Sequence, residues 1–442
     1  MICLPIPTAA IAQHILVSSS PKGRGEPMKD KARLLPLLVL YVLVVLFAAS
    51  NVIDHDQLRY VGFANNLAHG YYTSRDHINL SNGPGYPILL LPFVLFNLPW
   101  LAAKLLNALL LFMAILYFHG TLRFYIKERP ALYFSYLLGV YLPFLRWVHL
   151  LLTEELALFL MCGFLFHFCK LYRSGKTRWG QLAIASLYLA YLALTKIFLG
   201  YVILSVLLFS IALYLWKRGS ALKRTVLVSF LALICCSPYL VYTYSLTGKV
   251  FYWGNLGGSY LYWISNPNES ELGAWFNPQE VLENPGQSEP HVRFFQELER
   301  LPSIQQDDEL KRQAFYNITH YPRAFLRNWL ANVGRLLFNY PYAYDRQKLS
   351  TYFYVIPNMC LFVLSMLLIY PTIRGRKLIP YEIHATTFFS VLYLGGTSLV
   401  SGVSPRQSMI IVPVLLLWIV FILMRVLEFK IAQAQPFSRS PS

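Results

Sequence analysis

Leu37-Leu38-Val39-Leu40-Tyr41-Val42-Leu43-Val44-Val45-Leu46-Phe47-Ala48-Ala49-Ser50 runs straight into Asn51-Val52-Ile53-Asp54-His55-Asp56-Gln57-Leu58-Arg59-Tyr60. The first stretch carries no charge, and with Leu34 to Pro36 before it the run is long enough to cross a hydrocarbon core about 30 Å thick. The second places two carboxylates and a guanidinium just beyond its end. A membrane helix that opens on an acidic loop sets the frame for the rest of the chain.

Working outward, apolar runs recur near 34–50, 99–119, 130–148, 151–169, 179–195, 197–216, 225–246, 351–370, 382–401 and 408–427, so the expected fold is an all-α polytopic membrane protein of about ten transmembrane helices. Composition agrees. The chain is 56% hydrophobic and 13% charged, more apolar side chain than soluble cores can hold. Its net charge of +17 does not mark a nucleic-acid binder, because Lys and Arg gather in short links: Lys22 to Arg33, Arg123 to Arg129, Lys170 to Arg178, Lys217 to Arg224, Arg374 to Lys377 and the tail from Arg425. Basic short loops mark the cytoplasmic side. Both termini are therefore expected inside, in the inner (plasma) membrane. The six cysteines lie in apolar runs or in the N-terminal tail, which implies neither a disulfide framework nor a zinc site.

The expected organisation is a disordered cytoplasmic tail over 1–33, with Met28 as a second possible start, and a transmembrane core over 34–246. A large outer loop domain over 247–350, C-terminal membrane helices over 351–427 and a cytoplasmic tail over 428–442 follow. The first outer loop, 51–98, is polar and then reaches Gly85-Tyr86-Pro87-Ile88-Leu89-Leu90-Leu91, too short and Pro-broken to span. In the larger loop, the turn Asn284-Pro285-Gly286 precedes a charged helical stretch from Gln306 to Asn317. An amphipathic helix after Pro322 carries Phe325, Leu326, Trp329, Leu330, Val333, Leu336 and Leu337, a pattern suited to a membrane surface.

Loops this long carry function more often than they merely connect. Tyr60, Phe63, Ala64 and Leu67 predict a short amphipathic helix that Gly70 stops. Asp54, with Gln57 three residues on, fits a capping box. Asp56 falls in the helix's first turn, where the dipole favours a carboxylate; it fits either a favourable helix-start charge or a general base. Glu154 and Glu155 stand at the outer end of the fourth span, where acids are costly unless functional or paired, and one of the two is expected to be solvated. Lys196 and Arg406 are among the few outer cations away from the large loop, and either interfacial snorkelling or phosphate binding accounts for them. Asn79-Leu80-Ser81, Asn268-Glu269-Ser270 and Asn317-Ile318-Thr319 are glycosylation sites only in a secretory compartment.

Asp56-Gln57-Leu58-Arg59-Tyr60, with Ala64, Leu67, Gly70, Tyr71 and Gly83-Pro84-Gly85-Tyr86-Pro87, resembles the first outer loop of GT-C glycosyltransferases, in particular the dolichyl-phosphate-mannose–protein mannosyltransferase and aminoarabinose transferase superfamily. Leu152-Thr153-Glu154, Thr195-Lys196, the stretch from Asp308 to Leu337 with His320-Tyr321-Pro322, and Arg406 with Pro413 continue the likeness in order. Gln57 stands where the family usually has a second acid, and Gln407 where it often has an aromatic residue.

The resemblance implies a GT-C core and a membrane glycosyltransferase. A monosaccharide would pass from a polyprenyl-phosphate donor to a hydroxyl of a lipid, glycan or protein on the outer face, with inversion. Asp56 would be the catalytic base, and Tyr60, Arg75, Tyr86, Glu154, Lys196 and Arg406 the substrate-binding residues, with Lys196 and Arg406 on the phosphate. No cofactor is called for, and the loss of the second acid weakens the case for a divalent metal. Besides donor and acceptor, membrane lipids are the expected partners, and nucleic acid is not. Two rivals share the many spans: a flippase or transporter of lipid-linked glycans, and a glycan polymerase or ligase using a diphosphate-linked oligosaccharide.

Overall fold

Among the described residues, five helices are long and apolar enough to cross a membrane: α4 (Trp100–Leu122), α7 (Glu154–Arg173), α9 (Phe198–Lys217), α10 (Ser220–Thr247) and α16 (Tyr352–Arg374). The structure is a computed structural model and describes residues 32–50, 52–173, 178–283, 289–341, 351–400 and 402–428. Most of both tails, Asn51 and the turn at Asn284-Pro285-Gly286 lie outside the described residues. Shorter apolar helices complete the bundle: α1 (Leu35–Ala48), α3 (Gly85–Leu95), α8 (Trp179–Thr195) and the last segment, 412–427. Among the described residues there is no strand.

Three of the expected spans are interrupted. The run 130–148 divides into α5 (Glu128–Gly139) and α6 (Leu142–Trp147). Pro143 at the start of α6 supplies no N–H to the turn before it, and the Gly139 carbonyl is taken by the Tyr41 hydroxyl at 2.8 Å. A Cβ on Gly139 would lie 2.5 Å from Leu37, so this glycine admits α1 against α5. The run 151–169 becomes helical only at Glu154. The last run divides into α18 (Pro405–Met409) and α19 (Val412–Phe421), which continues as a π-helical stretch over Ile422–Leu427.

In the first loop, α2 (His55–Ala68) forms as its periodicity predicts, and Gly70 ends it at φ +86°. Asp54 occupies the N-cap position, but its side chain caps no backbone N–H; the carboxylate instead accepts from the Gln57 side-chain amide at 2.9 Å. The capping box is therefore not formed. Gln57 is buried because its other end accepts the Leu151 N–H at 3.0 Å, which ties α2 to the irregular chain before α7. The 85–95 segment is a short helix, as its length required.

Between α10 and α16 the chain builds α11 (Gly257–Ser265), α12 (Pro278–Glu283), α13 (Glu289–Leu298), α14 (Ser303–His320) and α15 (Pro322–Phe338). It has a core of its own from Tyr262, Trp263, Val281, Phe295, Leu298 and Leu310. Helix α15 also has a polar face that the sequence pattern did not reveal. Asn328, Asn332 and Arg335 are buried, while Leu326 and Leu330 are exposed. The buried amides each serve two carbonyls: Asn328 donates to Ile264 and Asn266, and Asn332 to Ser398 and Val400 at the end of α17 (Tyr381–Ser398). A polar row at 4- and 3-residue spacing is thus what α15 packs with, because the carbonyls at and just beyond the ends of α11 and α17 need donors.

Candidate active site

The start of α7, the end of α8, the first turn of α2 and the short helix α18 meet at one end of the bundle. Helix α2 brings two charged side chains, Asp56 and Arg59, and each of the others one. Glu154 at the start of α7 is buried and accepts from Lys196 Nζ at 3.0 Å and from Arg406 Nε at 3.1 Å. Arg406 turns its Nη1 to Asp56 Oδ2 at 2.9 Å, and the other Asp56 oxygen is held by Arg59, one helical turn along α2. The result is one continuous ion network of five side chains from four parts of the sequence. Three cations face two carboxylates, which leaves one positive charge in excess.

Burial makes this pairing obligatory, since an isolated ion taken out of water costs several kcal/mol. Burial by itself works against the Arg406 charge, but Glu154 and Asp56 outweigh it and hold the guanidinium more firmly protonated. Its plane also lies over the Trp147 ring, 5.1 Å from the centroid. The turn carrying it is fixed by Gln407, whose side-chain oxygen accepts the Ser404 N–H at 2.9 Å and whose carbonyl accepts from Tyr393 at 3.0 Å. An aromatic residue at position 407 could not make the first of these bonds. Asp56 remains about one-third exposed, so of the two carboxylates it is the one a substrate reaches.

The loop Gly83-Pro84-Gly85 brings Tyr86 to the same end. A Cβ on Gly83 would lie 2.0 Å from the Leu194 carbonyl, and one on Gly85 would lie 2.4 Å from Thr195 Oγ1. Only glycine lets this loop rest on the end of α8 directly beside Lys196. Tyr86 then packs edge-on to Tyr60 with centroids 5.4 Å apart, and its hydroxyl donates to Asn107 at 3.4 Å. Tyr60 accepts from Asn82 at 3.1 Å; its burial, with Glu154 nearby, raises the phenol's pKa and keeps it neutral.

Of the residues expected from the sequence, Asp56, Glu154, Lys196 and Arg406 are joined directly, and Tyr60 and Tyr86 line their flank. Arg75 stands exposed between α2 and α3, with no ion pair tying it to the network among the described residues. Neither glutamate is solvated: Glu154 is 3% exposed and Glu155 is 0% exposed, and neither Glu155 oxygen reaches a partner in another residue. The reason is that α7 starts three residues later than its apolar run, inside the bundle. Among the described residues no three His, Cys, Asp or Glu side chains gather as a metal site.

Two participants were not read from the sequence. Arg59 had a signal, its i+3 spacing from Asp56 on a helix. Tyr260 of α11 had none. Its phenol lies in the field of Arg59, Asp56 and Arg406, and burial raises its pKa, which keeps the hydroxyl protonated.

No protein-family model matches the chain, and no curated protein does. Solved structures do. The apo oligosaccharyltransferase of Archaeoglobus fulgidus superposes with a TM-score of 0.51 at 15% identity, over 94% of this chain and 53% of that one. The chain thus spans about half the length of that enzyme. ArnT from Cupriavidus metallidurans bound to undecaprenyl phosphate matches at TM-score 0.41 and 12% identity, over 92% of this chain and 81% of that one. Among the described residues the chain is all-helical, with helices apolar enough to cross a membrane, and its GT-C-like fold is the one it shares with that oligosaccharyltransferase.

Proposed function

We propose that this chain is a membrane glycosyltransferase that moves a monosaccharide from a polyprenyl-phosphate donor to a hydroxyl acceptor. The single observation that carries the reading is the network in which Arg406 joins Asp56 to Glu154 and Lys196. It sets a reachable carboxylate beside cations that outnumber the carboxylates by one.

In the proposed reaction Asp56 takes the proton of the acceptor hydroxyl as its oxygen forms a bond to the anomeric carbon. The bond from that carbon to the phosphate oxygen breaks, and the phosphate leaves as an anion. One displacement inverts the anomeric configuration. Charge grows on the phosphate in the transition state, where Arg406 and Lys196 stabilise it most strongly because their surroundings exclude water. Glu154 keeps both cations oriented, and Gln57 braces α2 under Asp56. The basic links support a topology with both termini in the cytoplasm and this site on the opposite, outer face of an inner membrane. The acceptor is a lipid, a glycan or a protein.

Mass spectrometry of glycolipids, surface glycans and polyprenyl phosphates, from cells with and without the protein, tests the proposal. Cells lacking it should lose one sugar from one product and accumulate a polyprenyl-phosphate monosaccharide. Accumulation of a diphosphate-linked oligosaccharide would instead favour a polymerase, ligase or flippase.

A further inference from the structure

Helix α6 stands beside the ion network and carries a cation that the network does not use. The helix is locked at its start. The Tyr141 hydroxyl, from the residue just before it, donates to the Asn358 side chain of α16, whose amide donates in turn to the Leu337 carbonyl of α15. Pro143 and Phe144 are buried and seat its inner side. Arg146 and Trp147 form its last turn.

The Arg146 guanidinium lies 5.2 Å from the centroid of the Trp147 ring and 5.2 Å from that of buried Tyr354, at the start of α16. Arg406 lies 5.1 Å from the same Trp147 centroid. One indole thus carries two guanidiniums, and two like charges held on one ring favour an anion that touches both. The two differ in what they already hold. Arg406 donates from all three of its nitrogens to Glu154 and Asp56. Arg146 is exposed and, among the described residues, makes no hydrogen bond and no ion pair. An arginine that merely snorkels turns its head into water; this one is laid on two rings with its N–H donors unspent. On the same two helices Leu142, Tyr352 and Phe353 are exposed, the apolar and aromatic rim that marks the level of lipid headgroups.

We propose that Arg146 is a further donor-binding residue, which takes an oxygen of the lipid phosphate at the rim while Arg406 and Lys196 face the phosphate from within. The inference rests on the transferase reading above. Arg406 and Lys196 share their donors with Glu154 and Asp56, so a phosphate bound by them alone would compete with those carboxylates. A guanidinium with free donors removes that competition and offers the planar fork that fits two phosphate oxygens. Because Arg146 is exposed, water and salt screen it; it adds to capture of the donor rather than to the charge balance of the enclosed network.

The test reads binding, before any sugar is moved. The purified full chain is titrated separately with undecaprenyl phosphate, undecaprenol and phosphatidylglycerol, and bound lipid is counted by native mass spectrometry. The parent should hold undecaprenyl phosphate in preference to the other two. Arg146→Gln should bind undecaprenyl phosphate about tenfold or more weakly, as expected for loss of one charge-assisted hydrogen bond. It should melt and bind undecaprenol as the parent does. Arg146→Lys, which keeps the charge but not the fork, should fall between the two. Undiminished affinity of Arg146→Gln for undecaprenyl phosphate, in a parent that shows the preference, overturns this inference alone. So does a parallel loss of undecaprenol, which would make Arg146 a packing residue, or of phosphatidylglycerol, which would make it a general lipid contact. A parent that does not prefer undecaprenyl phosphate to undecaprenol overturns the transferase reading and this inference together.

Discussion

Arg406 Nη1 lies 2.9 Å from Asp56 Oδ2, although the two residues are 350 positions apart. The first loop and the start of the last membrane segment therefore share one charge pair. Glu154 and Lys196, from the middle of the chain, join them through the same guanidinium.

If Asp56 is the base, Asp56→Asn keeps the shape of the pair but cannot take a proton. Donor-dependent transfer should fall about 10²–10⁴-fold, with little change in thermal stability, because the carboxylate is one-third exposed. Transfer assays and melting curves on the same preparation check both halves.

Arg406→Gln leaves Glu154 buried with only Lys196 as a partner. Removing one partner of a buried pair costs about 3–5 kcal/mol. Adding Glu154→Gln should recover part of that loss, and a double-mutant cycle should give a coupling of about 0.5–3 kcal/mol. Additive effects would mean that the two side chains do not interact as the structure has them.

Gly85→Ala would push a methyl group to within 2.4 Å of Thr195 Oγ1. Overpacking of this kind costs about 1–3 kcal/mol, and here the displaced element ends in Lys196. A lowered melting temperature should come with weaker stabilisation by added undecaprenyl phosphate. Gly62→Ala, which meets nothing within 4 Å, is the matched control and should change neither.

Gln57→Glu restores the acid that the resemblance leads one to expect there. In this chain it would replace an amide that donates to Asp54 and accepts from Leu151. The carboxylate keeps the second bond, loses the first and faces a like charge. Destabilisation of about 1–3 kcal/mol is expected in chemical or thermal unfolding, and an unchanged melting curve would refute the bracing role.

Asn332→Ala frees two carbonyls, Ser398 and Val400, that one side-chain amide satisfies. The cost should again be about 1–3 kcal/mol. Limited proteolysis should cut the chain between α17 and α18 faster than in the parent.

How far the site could be read in advance differs residue by residue. Asp56, Glu154, Lys196 and Arg406 were legible because each is a charge at the end of an apolar run, and hydropathy locates such ends well. Helix α2 was legible from its periodicity and Gly70. The division of 130–148 was not, because an apolar run looks the same whether or not it is broken, and the cause includes Tyr41 of a distant helix. The burial of Glu155 depends on where α7 begins. The polar row of α15 was not legible because the carbonyls it serves belong to distant elements, the ends of α11 and α17.

The excess of three cations over two carboxylates has an electrical consequence for the proposed reaction. A polyprenyl phosphodiester donor brings one negative charge, so the loaded site is neutral. When the sugar departs, the phosphate becomes a monoester that can carry a second negative charge, while Asp56 has gained a proton. The two changes cancel. Net charge within this water-poor enclosure is then the same before and after transfer, so the protein need not admit a counterion in mid-reaction. A variant that breaks this neutrality should slow product departure, even where the chemical step survives.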